Sequence, residues 1–208
     1  MIEHNTKERI LQIALNLFSQ YGYKATSMSD IAKELNITKT ALYRHYDSKQ
    51  AIFDCIVQRM EQMDHERVVQ YKMPEGKYPQ MAKEYKNIPI EKIISYSEAL
   101  FKHWTEEDFS CKFRKILELE HYHNPQINAL YQKYLGQGPI NYMTELFTEM
   151  LKIDQNLSQD ARQVALEFYG PIFLLIQLYD GANDKENTYH LLREHIIRFG
   201  KQQGFLEK

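Results

Sequence analysis

The chain has 208 residues, of which 43% are hydrophobic and 26% charged, and its formal net charge is -2. This composition is typical of a globular protein and argues against a disordered chain. Eight glycines and six prolines are few for the many turns of a β protein, so helices are expected. A charge this close to zero also argues against nucleic acid as a partner.

The two cysteines, Cys55 and Cys111, form neither a disulfide framework nor a metal-ligand spacing, which fits a reducing cytosol. The first residues lack the basic and apolar segments of an export signal. The longest apolar stretch, around Pro171 to Tyr179, is much shorter than the roughly 20 residues that span a bilayer. We therefore expect a cytoplasmic protein with no membrane partner.

Four helices are predicted in the N-terminal part of the chain. Apolar residues at helical spacing predict a first helix that is capped by Thr6 and ends at Gly22. A second, short helix runs from about Met28 to Leu35, and Asn36 provides a residue that tolerates a left-handed turn. Thr38 caps a third helix that ends near Tyr46, and Asp47 or Ser48 caps a long fourth helix.

The rest of the chain is also predicted to be helical. The stretch from Pro74 to Pro89 contains three prolines and is interpreted as a connection or as irregular helix ends. The fold class is therefore all-α, with about nine helices in total. Further helices are predicted at Ile90 to Trp104, Phe109 to His123, Pro125 to Leu135, Pro139 to Leu151, Ser158 to Tyr179 and Lys185 to Gln203.

The second and third helices, joined by a tight turn, have the pattern of a helix-turn-helix, whose last helix enters the DNA major groove. At 100° per residue, Leu42 and Tyr46 point inward with Ala41 and the flank of His45. The opposite face carries side chains suited to phosphate oxygens and base edges. They are Lys39, Thr40, Tyr43 and Arg44. Residues 1–50 carry seven Lys and Arg against five Asp and Glu, so the local charge is positive.

The segment from Tyr23 to Phe53 closely resembles the DNA-binding signature of the TetR family of transcriptional repressors. It contains Asp-Ile-Ala at 30–32, a hydroxyl residue and Lys at 38–39, Leu-Tyr-x-His at 42–45 and Ser-Lys at 48–49. The departures are conservative, with Asn36 in place of the usual glycine, Tyr46 in place of Phe and Gln50 in place of Glu. Thr40 stands where Gly or Pro is frequent, and it is the departure that would alter base preference.

The resemblance implies roles for individual residues in DNA binding. Thr26 or Ser27 touches a phosphate, and Thr38, Lys39 and Thr40 lie at the groove. Tyr43 and His45 hold the DNA backbone, and Lys49 clamps a phosphate; Arg44 is added by its outward position alone. The resemblance also implies a homodimer on palindromic operator DNA. We expect residues 1–50 to form the DNA-binding domain and residues 51–208 an effector-binding and dimerisation domain.

The last two predicted helices resemble the dimerisation helices of the family. The first of them contains a stripe of apolar residues, and Leu174 and Leu178 widen it beyond what one core face needs. The alternative is that this helix is an internal helix of a monomer. In either case Pro171 is expected to kink the helix. The predicted dimer interface comprises Phe168, Ile172, Leu175, Ile176, Tyr179, Leu192, Ile196 and Phe199.

Aromatic residues are concentrated after residue 70, and we interpret part of this excess as the lining of a cavity for a small, largely apolar effector. Ordinary core packing is the alternative. The candidate lining is Tyr96, Phe101, Trp104, Tyr122, Met143 and Phe147, with His103, His121 or His123 as hydrogen-bonding groups.

A competing function is a carboxylate-bridged metal enzyme. Glu118 with His121, and Glu120 with His123, form two interleaved Glu-x-x-His spacings. A di-iron bundle needs such a spacing on a second helix, and the sequence has no other. A structural bundle with an inactive helix-turn-helix is a third alternative. We therefore predict no cofactor, no metal and no enzymatic activity, and expect a transcriptional regulator, a repressor released from its operator by an effector.

Overall fold

The computed structural model describes residues 2–155 and 158–204, and this part of the chain contains eleven helices and no strand. The all-α prediction is confirmed, with two helices more than the nine expected. The helices are α1 (Ile2–Tyr21), α2 (Met28–Glu34), α3 (Lys39–Tyr43), α4 (Lys49–Gln70), α5 (Tyr78–Tyr85), α6 (Ile90–Thr105), α7 (Asp108–Glu120), α8 (Pro125–Tyr134), α9 (Gln137–Ile153), α10 (Ala161–Tyr179) and α11 (Lys185–Gln202).

Helix α5 lies in the proline-containing stretch that the sequence predicted as a connection. Pro79 occupies the first turn of α5, and Pro89 is the residue before α6. Proline is compatible with both positions because the first N–H groups of a helix have no partner within the helix. These two prolines therefore mark helix starts. Of the two alternatives predicted for this stretch, helix ends therefore fit the two prolines, whereas a connection without a helix does not.

The boundaries of α1 and α3 also differ from the prediction. Helix α1 begins at Ile2, so Thr6 lies inside the helix and does not cap it. It ends at Gly22, whose φ of 88° only glycine adopts readily and whose N–H donates to Phe18 O at 3.0 Å. Helix α3 ends at Tyr43, three residues before the predicted end at Tyr46.

Both helices of the helix-turn-helix are capped, and the predicted cap at Thr38 and turn at Asn36 are present. Ser27 caps α2 in a capping box with Asp30, and Thr38 caps α3 by accepting a hydrogen bond from Ala41 N at 3.1 Å. Between the two helices, Asn36 has a φ of 55°, the left-handed conformation predicted for it. The chain needs these local features because a five-residue helix cannot hold itself in place.

The described chain forms two compact units. The first contains the residues up to Arg67 together with Asp108–Tyr131, and the second contains Val68–Glu107 and the described residues from Gln132 onward. The compact units therefore do not coincide with a boundary at residue 50, since α7 and most of α4 belong to the first unit.

Each unit has its own buried apolar residues. In the first unit, α7 packs along α1, and Phe18, Leu42, Ile56 and Phe113 are fully buried. In the second, α9 packs against α5 and α10, and α11 packs on α10. One core cluster there contains Met81, Ala82, Leu146, Phe147, Met150, Val164, Ala165 and Phe199. Across residues 2–155 and 158–204, no helix is both long and apolar enough to cross a membrane.

Candidate nucleic-acid interface

Helix α3 presents a polar outward face. Lys39, Thr40, Tyr43 and Arg44 are exposed, whereas Leu42 is fully buried against the first unit's core. The Nζ atom of Lys39 lies 5.9 Å from the centroid of the Tyr43 ring, which brings a cation and a phenol together on this face. The side chains separate as the helical spacing predicts, so α3 offers hydrogen-bond donors and positive charge to the solvent.

Ser27 and Thr26, the two alternatives for a phosphate contact, have different surroundings. Thr26 is buried, and its hydroxyl donates to Gly22 O at 2.9 Å, so it is not available to DNA in this conformation. Ser27 is exposed at the start of α2, and its hydroxyl and N–H both bind the Asp30 carboxylate. These hydrogen bonds lower the pKa of Asp30.

Lys49 has a structural role that the resemblance does not imply. Its ammonium donates to Tyr23 O at 2.6 Å and to Thr26 O at 2.7 Å, and it lies 4.3 Å from the centroid of the Tyr23 ring. Burial lowers the pKa of Lys49, and the carboxylates of Glu120 and Asp30 oppose that effect. Lys49 thus ties the start of α4 to the turn between α1 and α2.

His45 is half-buried, in agreement with its position on the flank of the inward face. Its Nδ1 atom is buried and has no hydrogen-bond partner among the residues that the structure describes. Of the residues assigned to DNA by sequence, the structure thus exposes Ser27, Thr38, Lys39, Thr40, Tyr43 and Arg44, whereas Thr26, His45 and Lys49 are at least partly enclosed by the protein.

Glu120 contacts the same turn as Lys49, and sequence reasoning did not assign it there. The carboxylate is buried, and its Oε1 accepts a hydrogen bond from Lys24 N at 2.8 Å. A Cβ atom on Gly22 would lie 2.6 Å from this oxygen, so the glycine leaves room for the carboxylate, and its φ of 88° separately favours glycine. No local sequence pattern indicates the hydrogen bond between Lys24 N and Glu120, because these two residues are 96 positions apart.

Two other residues of the metal-enzyme alternative, Glu118 and His121, also have partners within the protein. Glu118 accepts two hydrogen bonds of 3.0 Å from the buried Arg114. The His121 ring stacks on Tyr131, with 4.2 Å between the ring centroids, and His123 is exposed. Within the described ranges, no group of three or more His, Cys, Asp or Glu side chains is placed to hold a metal ion.

The residues predicted to line an effector cavity belong to both compact units. Three of them, His121, Tyr122 and His123, belong to the first unit, and the Tyr122 side chain is 83% exposed; the other six belong to the second. Phe147 is part of the core cluster, and Met143 packs against that cluster. Phe147 thus fills an ordinary core position, as aromatic residues at helical spacing often do. The remaining members of the second unit, Tyr96, Phe101, His103 and Trp104, all lie on α6.

The dimer residues predicted on α10 and α11 mostly face the interior of the same subunit. Ile176, Tyr179, Leu192, Ile196 and Phe199 are buried, and Phe168, Ile172 and Leu175 are half-buried. The other side of α10 is exposed and carries leucines beside polar residues such as Gln163 and Glu167. We call its apolar row the α10 leucine face, and this row consists of Leu166, Gly170, Leu174 and Leu178, which recur every four residues.

The fold and the exposed polar face define the class of this protein: an all-helical chain with a helix-turn-helix near its N-terminus. A family described as "Bacterial regulatory proteins, tetR family" matches residues 10–56. The match covers the helix-turn-helix and part of the helix on either side of it, so this similarity concerns the DNA-binding segment of the chain.

Known regulators resemble this segment and this fold. Over 48 residues, the chain is 48% identical to IcaR of Staphylococcus aureus strain Newman, a negative transcriptional regulator of the biofilm operon icaADBC. The match covers 23% of this chain and 26% of that protein, so the chain spans about a quarter of the length of the curated relatives it matches. IcaR of Staphylococcus epidermidis is 47% identical over 47 residues, which are 23% of this chain and 25% of that protein.

Two solved structures share the fold over nearly the whole chain. The fatty acid degradation regulator FadR of Bacillus halodurans has a TM-score of 0.62, with 16% identity and 93% of each chain covered. A transcriptional regulator of Saccharomonospora viridis in complex with choline has a TM-score of 0.60 and 18% identity, with 95% of this chain and 96% of that chain covered. At these identities the likeness concerns the fold alone.

Proposed function

We propose that the protein is a sequence-specific DNA-binding transcriptional regulator and that α3 is its recognition helix. The observation that carries the proposal is the exposed polar face of α3, held between the capped α2 and the turn at Asn36. Arg and Lys suit phosphates and guanine edges, and hydroxyl groups accept or donate at base edges. Ser27, Thr38 and Tyr43 would contact the DNA backbone, Lys39 and Arg44 would bind phosphates beside the groove, and Thr40 would reach a base edge.

Thr26, His45 and Lys49 have a different place in this proposal. The Lys49 ammonium uses two of its three N–H donors to bind backbone carbonyl groups, so at most one N–H remains for a phosphate. Thr26 donates its hydroxyl within the turn. These residues would support the DNA-binding surface from within the protein. Lys49 or His45 would also contact DNA directly if its remaining donor reached a phosphate.

A homodimer would use the α10 leucine face. Leu174 and Leu178 are 56% and 57% exposed, and Leu191 on α11 is 44% exposed. A Cβ atom on Gly170 would meet nothing within 4 Å, so this position leaves room for a close approach by a second helix. Two recognition helices must lie about 34–36 Å apart to enter successive major grooves of a palindromic site.

Repression and release by a small molecule are part of the proposal. The similarity of the DNA-binding segment to IcaR, a negative regulator, supports repression. The choline complex of a protein with the same fold supports a small-molecule effector. Such an effector needs a differential affinity for the two states of about 1–3 kcal/mol to be effective. A regulator of this kind works in the cytoplasm, without a cofactor and without catalysis.

Selection of duplexes from a random-sequence pool by the full-length protein tests the proposal. We expect a palindromic site to be enriched, and we expect its affinity to fall steeply as salt rises from 50 to 200 mM, as phosphate contacts require. The matched control is the variant in which Lys39, Tyr43 and Arg44 are changed to Ala, which should keep the fold because all three side chains are exposed. Equal enrichment by that variant, or no enrichment by the wild type, would refute the proposal.

A further inference from the structure

The turn between α1 and α2, which comprises residues 22–26, is held from two sides by opposite charges. The Lys49 ammonium binds the carbonyl groups of Tyr23 and Thr26. The Glu120 carboxylate accepts a hydrogen bond from Lys24 N. A carboxylate and an ammonium therefore bind the N–H and C=O groups of one short stretch of backbone, and charge-assisted hydrogen bonds of this kind are the stronger ones.

The turn leads directly into the start of the DNA-binding helices. Its last residue, Thr26, precedes Ser27, the N-cap of α2. The Tyr23 side chain extends the contact to α4, since its hydroxyl donates to Gln50 Oε1 at 2.8 Å. A displacement of the turn would therefore move the cap of α2 and, through the contacts of α2 with α3, the outward face of α3.

Glu120 is the last residue of α7, a helix that the chain enters from the other compact unit. Helix α7 packs in the first unit, but the chain enters it from α6 and continues into α8, and α6 lies in the second unit. The carboxylate is buried beside Gly22, which leaves room for its Oε1 atom because it has no Cβ.

We propose that Glu120 is a positioning residue for DNA binding, which sets the α1–α2 turn through its hydrogen bond with Lys24 N and so holds α2 and α3 in the binding conformation. This inference rests on the proposed function. The residue does not touch DNA. Its effect on affinity passes through the backbone of the turn, and a shift of α7 that breaks the hydrogen bond lowers the affinity for DNA.

The test compares Glu120→Ala, Glu120→Gln and Leu119→Ala in the full-length protein. The Gln side chain keeps an oxygen acceptor for Lys24 N, whereas Ala removes it. Leu119→Ala is the matched control, because the neighbouring Leu119 side chain is 52% exposed. Each variant is titrated with the duplex that the wild type selects, and exchange of the Lys24 amide hydrogen is followed by NMR in the free protein.

We expect Glu120→Ala to weaken duplex binding about tenfold and to speed exchange of the Lys24 amide, with little change at the Ala41 amide that Thr38 caps. Glu120→Gln should restore most of the affinity, and Leu119→Ala should match the wild type. Unchanged affinity and unchanged Lys24 exchange in Glu120→Ala would overturn the inference, as would equal losses in Ala and Gln variants. A wild type that selects no duplex would refute the proposed function. The effect of Glu120 on the turn could still be measured, because exchange of the Lys24 amide is followed without DNA.

Discussion

The outward faces of α3 and α10 have opposite chemistry. The exposed side of α3 carries a lysine, a threonine, a tyrosine and an arginine, whereas the α10 leucine face is apolar. A charged and hydroxylated face is at no disadvantage in water, but a row of exposed leucines is costly unless a partner covers it. The first face is suited to a polar ligand that binds reversibly, and the second to an apolar surface such as a second copy of the chain.

The two faces also differ in what fixes their direction. For α3, the cap at Thr38, the turn at Asn36 and the buried Leu42 lie within seven residues of one another. For α10, both sides of the helix are apolar, and the choice of the inner side depends on packing against α9 and α11. Local features thus orient the polar face, and tertiary contacts orient the apolar one.

The largest expected effect is at the α10 leucine face. Leu174→Glu would place two like-charged carboxylates in a symmetric apolar interface, and an unpaired charge buried there should raise the dimer dissociation constant about a thousandfold. Sedimentation at micromolar protein concentration would measure the change. Leu119→Glu is the control, since Leu119 is similarly exposed but lies on α7. A Leu174→Glu protein that remains as dimeric as the control would remove this face from the interface.

The next largest effect concerns the stability of the helix-turn-helix. Lys49→Met keeps the aliphatic stem but removes the ammonium that donates hydrogen bonds to two backbone carbonyl groups. We expect this change to lower the free energy of unfolding by about 2 kcal/mol. Chemical denaturation measures it, with Lys39→Met as a control at an exposed lysine. If Lys49→Met instead left stability unchanged and reduced the salt slope of DNA binding by about one, Lys49 would be a phosphate contact.

The helix-turn-helix could be predicted from the sequence because its determinants are local. Ser27 and Asp30 form a capping box three residues apart, Asn36 adopts the left-handed turn, and the spacing along α3 gives its outward face. Each feature depends on residue type and short-range geometry, which a sequence contains in full.

The contact of Glu120, the inner side of α10 and the effector lining could not be predicted in this way. Glu120 meets Lys24 N across 96 positions, and its sequence neighbourhood pointed instead to a metal-binding spacing. In α10, Ile176 is buried while Leu178 is 57% exposed, although both are aliphatic residues on the same helix. Hydrophobicity alone does not distinguish such positions, because only the packing partners decide which side is enclosed.

The polar face of α3 gives a smaller effect that depends on salt. Lys39→Ala and Arg44→Ala should each weaken duplexes of any sequence and reduce the slope of log affinity against log salt by about one. Thr40→Ala should leave that slope unchanged and alter which base is preferred at one position of the selected site. Fluorescence anisotropy titrations between 50 and 200 mM salt separate the two outcomes. Loss of base preference without a change in slope for Arg44→Ala would make Arg44 a base contact.

The smallest effect is expected at the capping box of α2, where a local feature responds to pH. Hydrogen bonds from Ser27 depress the pKa of Asp30 in the folded protein below its ordinary value of about 3.9. The box therefore contributes stability above that ordinary value and loses it as the pH falls through the depressed pKa of the folded state. NMR titration of the Ser27 amide should report this loss below about pH 4, and Asp30→Asn, which keeps an oxygen acceptor but does not titrate, should show none of it. A Ser27 amide with the same pH profile in both proteins would mean that the pH response comes from more distant carboxylates, so that even this cap is not controlled locally.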